Sequence, residues 1–239
     1  MDPETLKQKA AHYAVDTFVQ DGMTLGLGTG STVKYALERL GTHLRSGRLN
    51  RIAGVPTSER TARLSRRLGI PLIALEEAPG LDLYIDGADE IDPRLDLIKG
   101  LGGALLREKI VASVARRMVV IADGRKLVDH LGQRAPLPVE VVPFGWTIHV
   151  DWLAALGCTP VLRRQADGTP FITDNGNYIY DCTFPEGIPA PRELQARLNA
   201  RPGIVEHGLF LGYAHVAVVA CGEDDVRVYR RDTSPTASA

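Results

Sequence analysis

The chain predicts an α/β fold: a Rossmann-like open, largely parallel sheet joined to a second, smaller ferredoxin-like α+β domain. Three observations carry this. Over residues 1–130, short apolar runs alternate with stretches of helical period, the order that builds a parallel sheet covered on both faces. A glycine-rich turn, Gly26-Leu27-Gly28-Thr29-Gly30-Ser31-Thr32, links the first predicted strand to the next helix, where an α/β sheet can hold an anion. Beyond a proline-bearing linker at 131–138 the segments run β-α-β-β-α-β, the split βαβ order of ferredoxin-like units.

Asp2 is the predicted cap of a first helix with Pro3 at its first position. Leu6, Ala10, Tyr13, Ala14 and Phe18 then follow at helical spacing to an end near Gly22. Residues 23–27 read as a strand, and Val33, Ala36, Leu37, Leu40 and Leu44 mark the inner face of the following helix. A strand at 51–55, a helix at 58–68 stopped by Gly69, and strands at 71–75 and 81–85 come next, the last delivering Asp86 at its end. A helix over 104–117 and a strand over 118–122 complete the first half. The second half reads as strand 139–142, helix 146–156, strand 159–163, a strand over 171–182 interrupted at Asn175-Gly176, helix 192–198 and strand 204–209. Strands 214–220 and 226–230 form a hairpin, turning at 222–225, that returns to the first sheet. The expected domains are therefore 1–130 plus 211–232, and 131–210, with a disordered tail at 233–239.

At 239 residues the chain is long enough to bury one large core or two small ones. Its 44% hydrophobic content and net charge of −1 describe an ordinary globule with no basic excess for nucleic acid and no acidic tail for a basic partner. The first residues lack the basic start and apolar run of a secretory signal, and no apolar run is long enough to span a membrane. Cys158, Cys182 and Cys221 are odd in number and widely spaced, predicting free thiols in a reduced, cytoplasmic compartment. The histidines show no metal-ligand spacing, so no structural zinc is expected.

Three polar segments sit where strands hand over to loop or helix, and the carboxyl ends of parallel strands face one crevice. In 26–32, glycines let the backbone approach an anion while amides and hydroxyls at the helix start face it. No Gly-Lys-Ser/Thr follows at P-loop spacing. Ser31 stands where a dinucleotide fingerprint has its third glycine, and the second strand runs into Pro56-Thr57-Ser58 instead of a ribose-binding acid. Asp86, Asp89, Glu90 and Asp92 crowd the second segment. They fit a solvated turn, a magnesium or calcium site, or a carboxylate pair whose pKa values separate so that one shuttles a proton. Lys99-Gly100-Leu101-Gly102-Gly103-Ala104 leads into a helix where Glu108 shares an arc with Ala104, Val111, Ala112 and Ala115, while Lys109, Ser113 and Arg116 lie toward the other side. A carboxylate among small apolar neighbours is partly desolvated, and its pKa rises into the range of a general base. The alternative is a rim glutamate paired with Arg107 or Lys109. Lys99 and Lys126, at strand ends on one edge, offer ammonium groups to a phosphate or an enolate oxygen.

The ordered set of motifs resembles ribose-5-phosphate isomerases of the A type over nearly the whole chain. It comprises Gly-x-Gly-Thr-Gly-Ser-Thr at 26–32, Asp-Gly-Ala-Asp-Glu at 86–90, Lys-Gly-x-Gly-Gly-Ala at 99–104, Arg-Glu-Lys at 107–109 and Leu-Pro-Val-Glu-Val at 137–141. Thr-Asp-Asn-Gly-Asn at 173–177 and Pro-Gly-Ile-Val-Glu-His-Gly-Leu-Phe at 202–210 belong to it too. The resemblance implies reversible conversion of ribose 5-phosphate to ribulose 5-phosphate in the pentose phosphate pathway, with no metal or organic cofactor. By matching position, Glu108 is the base that moves a proton between C1 and C2 through an enediolate. Asp86 handles protons at the sugar oxygens and helps open the ring, Asp89 orients it, and Lys99 stabilises substrate charge. Thr29, Gly30, Ser31, Thr32, Gly87, Ala88, Gly100, Leu101, Gly102 and Lys126 line the sugar-phosphate site, and which lysine meets the phosphate stays open. The resemblance also implies a homodimer or homotetramer assembled partly through the small domain. Two other readings share the phosphate-binding sheet: a sugar-phosphate deaminase or lactonase, and an effector-binding module of a regulator. The second lacks a helix-turn-helix segment or basic face.

Overall fold

A computed structural model describes residues 2–222 and 225–231. The tail predicted at 233–239, Asp232, and part of the 222–225 turn lie outside the described residues. Helix α1 (Pro3–Phe18) starts as the sequence predicts, the Asp2 carboxylate accepting the Thr5 N–H at 3.3 Å with Pro3 in the first turn. Its inner face is Ala10, Ala11, Ala14 and Val15, and Tyr13 instead lies exposed. There follow β1 (Thr24–Leu27), α2 (Ser31–Arg45), β2 (Ala53–Pro56), α3 (Glu59–Arg67), β3 (Leu83–Gly87), β4 (Glu90–Ile91), β5 (Leu97–Ile98), α4 (Leu105–Val114) and β6 (Met118–Asp123). The second half holds β7 (Leu137–Val141), α5 (His149–Ala154), β8 (Thr159–Leu162), β9 (Tyr178–Thr183), α6 (Pro191–Asn199), β10 (Ile204–His207), β11 (Leu209–Phe210), β12 (Val216–Ala220) and β13 (Val226–Arg230).

The main sheet has the order β13-β12-β6-β3-β1-β2, parallel except for β13, so the C-terminal hairpin does return to it. Alternation along each strand assigns the two faces. Leu83 and Ile85 join α1 and α2 in one core, while Tyr84 packs with Val111, Ala112 and Val120 beneath α4 on the other. Asp86, two residues beyond Tyr84, therefore falls on the α4 side. The chain crosses from β2 back to β3 over β1, making the mouth between β1 and β3 the switch point of the sheet. The order β10-β7-β9-β8, all antiparallel, is the sheet of the predicted β-α-β-β-α-β unit.

Several predicted elements change. Residues 71–75 form no strand: Pro71 lacks an N–H, Leu72 makes one bridge to Gly54, and the chain then turns at Leu75–Glu77. The 204–209 strand divides at Gly208, and β11 pairs with β5 in a three-stranded sheet, β11-β5-β4. The 171–182 strand shrinks to β9 because residues 173–176 close a turn, Gly176 donating to the Thr173 carbonyl at φ +81°. The helix expected over 104–117 ends at Val114, where extended Ala115 bridges to Leu81. The helix expected over 146–156 is a 3-10 turn followed by α5.

Glu90 shows how the acidic segment serves the fold. Its side chain is buried and accepts the N–H groups of Gly132, Arg134 and Ala135 at 2.6, 2.5 and 2.7 Å, fastening the proline-bearing linker. Glu90→Ala leaves three donors unpaired and is expected to cost roughly 2–4 kcal/mol, read as a lower urea midpoint. A shift under about 1 kcal/mol would contradict this role.

Candidate active site

At the switch point the end of β1 and the end of β3 touch. A Cβ on Gly28 would lie 2.3 Å from the Asp86 carboxyl, so only glycine lets that side chain rest against the turn. Asp86 Oδ1 then accepts the N–H groups of Thr29 at 3.1 Å and Gly87 at 2.7 Å. Its Oδ2 accepts the Tyr84 hydroxyl and lies 2.8 Å from Lys99 Nζ. Gly30, at φ +140°, turns the chain into α2. Having no side chain, it leaves the first amides of that helix open toward the cavity.

Lys99 emerges from β5 with its ammonium bound to the Gly87 carbonyl at 2.7 Å and 3.2 Å from Glu108 Oε2. The Lys99, Asp86 and Glu108 side chains are all 3% exposed or less. Among the described residues no donor makes a well-directed hydrogen bond to Glu108 Oε2. Burial lifts the Glu108 pKa to about 8, Lys99 opposing and Asp86 reinforcing the rise. Burial alone would lower Lys99, yet Asp86 and Glu108 outweigh it and hold the ammonium above its ordinary value. Asp89 is raised by burial, while the Leu101 N–H on its Oδ2 at 3.0 Å acts against the rise.

The cavity measures about 360 Å³ and holds nearly every predicted site residue: Thr29 to Thr32, Gly87 to Asp89, Lys99 to Gly102, Glu108 and Lys126. Asp86 lies just behind its wall. Clefts of 470 and 610 Å³ elsewhere contain no comparable buried carboxylate. The Thr29 hydroxyl faces away, bonded to Thr57, Ser58 and Thr61 at 2.8 to 3.1 Å, so this residue meets the cavity through its backbone. The lysine-glycine loop is braced from outside. Arg163, paired with Asp181, donates to the carbonyls of Gly100 and Leu101 at 3.0 and 3.2 Å, and the Phe171 ring fills the space beside Gly103.

Sequence reasoning missed Lys7, Arg60 and Arg125, which also line the cavity, and Tyr84, the buried donor to Asp86. Only the two-residue spacing of Tyr84 from Asp86 on one strand face could have signalled any of them. Glu108 pairs with neither rim candidate. Arg107 runs outward to Glu59, Asn175 and the Asp174 carbonyl. Lys109, expected on the polar side of α4, is buried against Glu206 at 2.6 Å, a partner 97 residues away that no local period reveals. The acidic side chains diverge: Asp86 and Asp89 serve the cavity, Glu90 the linker, and Asp92 the backbone of Arg94 and Asp96. Among the described residues no group of three His, Cys, Asp or Glu is placed to hold a metal ion.

Fold and cavity together define an α/β enzyme that moves protons on a small phosphorylated molecule. Known proteins narrow the class. The family model for ribose 5-phosphate isomerase A (phosphoriboisomerase A) matches residues 53–224. Ribose-5-phosphate isomerase A of Roseiflexus castenholzii is 56% identical over 227 residues, 95% of each chain. The solved ribose 5-phosphate isomerase of Plasmodium falciparum superposes with a TM-score of 0.93 at 42% identity, covering 96% of this chain and 99% of that one. A D-ribose-5-phosphate isomerase in complex with phospho-erythronic acid also gives 0.93, at 40% identity, over 97% and 100% of the two chains. The chain belongs to the ribose 5-phosphate isomerase A family, which sets aside the deaminase, lactonase and regulator readings.

The Glu108 base form accumulates as pH rises through about 8. On ribose 5-phosphate, kcat/KM is therefore expected to climb about tenfold per unit below that point and level above it, since kcat/KM titrates the free enzyme. A flat profile between pH 6 and 8 would argue against the raised carboxyl.

Proposed function

We infer that the chain interconverts D-ribose 5-phosphate and D-ribulose 5-phosphate in the pentose phosphate pathway, with Glu108 as the base that carries hydrogen between C1 and C2. The observation that carries this is a buried carboxyl raised to about 8, 3.2 Å from an ammonium that is itself 2.8 Å from a second carboxylate. Asp86, with Asp89 orienting the sugar, assists ring opening. Glu108 takes the proton from C2 of the open aldose, the C–H electron pair forms the C1=C2 bond, and negative charge moves onto O1. Lys99 stabilises that oxyanion. The hydroxyl proton passes from O2 to O1 with Asp86 as carrier. Protonated Glu108 then delivers its hydrogen to C1, leaving a ketone at C2 and restoring the carboxylate.

Depth in the cavity divides the cations. Lys99, bound to both carboxylates, belongs to the reacting carbons; Lys126 and Lys7, on the lining with the α2 amides, suit the phosphate. The phospho-erythronic acid held by the solved relative supports a phosphorylated ligand of this size. The outward-facing Phe144 and Ile148, 93% and 62% exposed beside the four-stranded sheet, support a homodimer or homotetramer joined partly through residues 131–210. Light scattering tests this, and a monomer at micromolar concentration would refute it. The free Cys158, Cys182 and Cys221 support a reducing, cytoplasmic location.

Glu108→Gln keeps the shape and deletes the base. Turnover of ribose 5-phosphate is expected to fall by about 10³ or more with KM within a few-fold of the parent. Near-normal turnover would overturn the assignment. Chelators are expected to leave the rate unchanged; loss of activity restored by magnesium would count against the metal-free route.

A further inference from the structure

The isomerisation steps leave one buried ammonium among the described residues unused. Lys109 is 6% exposed, and removing an ammonium from water is costly unless every donor finds a partner. Its Nζ lies 2.6 Å from Glu206 Oε1 and 2.6 Å from the His207 carbonyl, with the Phe210 ring centroid at 4.9 Å on a third side. His207 adds no charge. Its Nδ1 accepts the Leu209 N–H at 3.2 Å, which leaves the ring proton on Nε2, facing Asn199 Oδ1 at 3.1 Å. Burial and the neighbouring Lys109 ammonium both hold the imidazole neutral. Glu206 is thus the carboxylate that balances Lys109.

The next residue completes the arrangement. The Gly208 carbonyl accepts the Lys99 N–H at 2.9 Å, and a Cβ on Gly208 would sit 2.2 Å from the Lys99 carbonyl oxygen. Two consecutive carbonyls, of His207 and Gly208, therefore grip Lys109 on α4 and Lys99 at the end of β5. The Phe210 ring lies against both ammonium groups, 5.4 Å from Lys99 Nζ and 4.9 Å from Lys109 Nζ. Helix α4 has no cap of its own, because Ala104 at its N-cap offers no hydrogen-bonding side chain. Arg107, Glu108 and Lys109 point in three directions: outward to the 174–175 loop, into the cavity, and down to the β10–β11 corner.

We propose that Lys109 is a positioning residue, its ammonium pinning α4 to the His207–Gly208 corner and thereby setting the Glu108 carboxylate opposite Lys99. This rests on Glu108 being the base. A misplacement of about 1 Å at a reacting group can cost about 10² in rate, so the expected signature is a fall in kcat with substrate binding kept.

The test compares K109M, K109R and E206Q with the parent, correcting rates for the folded fraction by circular dichroism. K109M is expected to lose about 30- to 100-fold in kcat with KM within about threefold. K109R, which retains charge and donors, is expected to recover to within about tenfold of the parent, and E206Q to lose kcat with KM retained. Parent-like kcat per folded molecule in K109M, or a loss shared equally by kcat and active fraction, would overturn the proposal. Should K109M fail to fold, E206Q decides: reduced kcat with unchanged KM upholds the pinning role, and parent-like kcat removes it. E108Q assayed alongside separates the two readings. An active E108Q sinks the base itself, whereas an inactive E108Q beside a fully active K109M sinks only the pinning.

Discussion

The structure turns on one ammonium buried between two carboxylates. Lys99 can neutralise a single negative charge, and both Asp86 and Glu108 lie within 3.2 Å of it. The donors are shared unequally. Asp86 takes two backbone N–H groups and the Tyr84 hydroxyl in addition to Lys99, while Glu108 Oε2 has only the nearby ammonium. Asp86 is therefore the better hydrogen-bonded carboxylate of the two, and Glu108 is the one whose pKa burial lifts to about 8. Two chemically similar acids thus stand in different surroundings within a few ångströms of one ammonium.

That inequality is a product of topology. β1 and β3 lie side by side at the switch point, so the glycine turn after one supplies an amide to the aspartate at the end of the other. Side-chain alternation along β3 puts Tyr84 and Asp86 beneath α4, the helix that carries Glu108. The Lys99 N–H is held in turn by the Gly208 carbonyl and β5 by β11, a segment arriving from more than a hundred residues downstream. Four stretches of chain must close together before the ammonium has its neighbours, and none of them holds the constellation alone.

Much of this was readable from residues. The strand–glycine turn–helix order, the parallel alternation and the β-α-β-β-α-β pattern each express a periodicity that burial enforces locally, and the three polar segments announce themselves by glycine and charge. The hidden parts are those whose cause is distant. Strands β4, β5 and β11 span two residues each, too short for a period to register. Lys109 looks like a solvent-facing lysine until Glu206 and the His207 carbonyl arrive from β10. Pro71 imitates the start of a strand that it cannot continue. Lys7 and Arg60 enter the cavity only through the packing of α1 and α3 around its mouth, which sequence spacing does not encode.

The brace of Arg163 on the Gly100 and Leu101 carbonyls ties the floor of the cavity to the antiparallel sheet. Thermodynamic linkage is reciprocal. Whatever stiffens β8 and β9 narrows the excursions of that floor, and a ligand that stills the floor lends rigidity back to β8 and β9. Ligand affinity at the cavity and the rigidity of the smaller sheet are accordingly coupled quantities, with the Arg163 guanidinium as one of the contacts that join them.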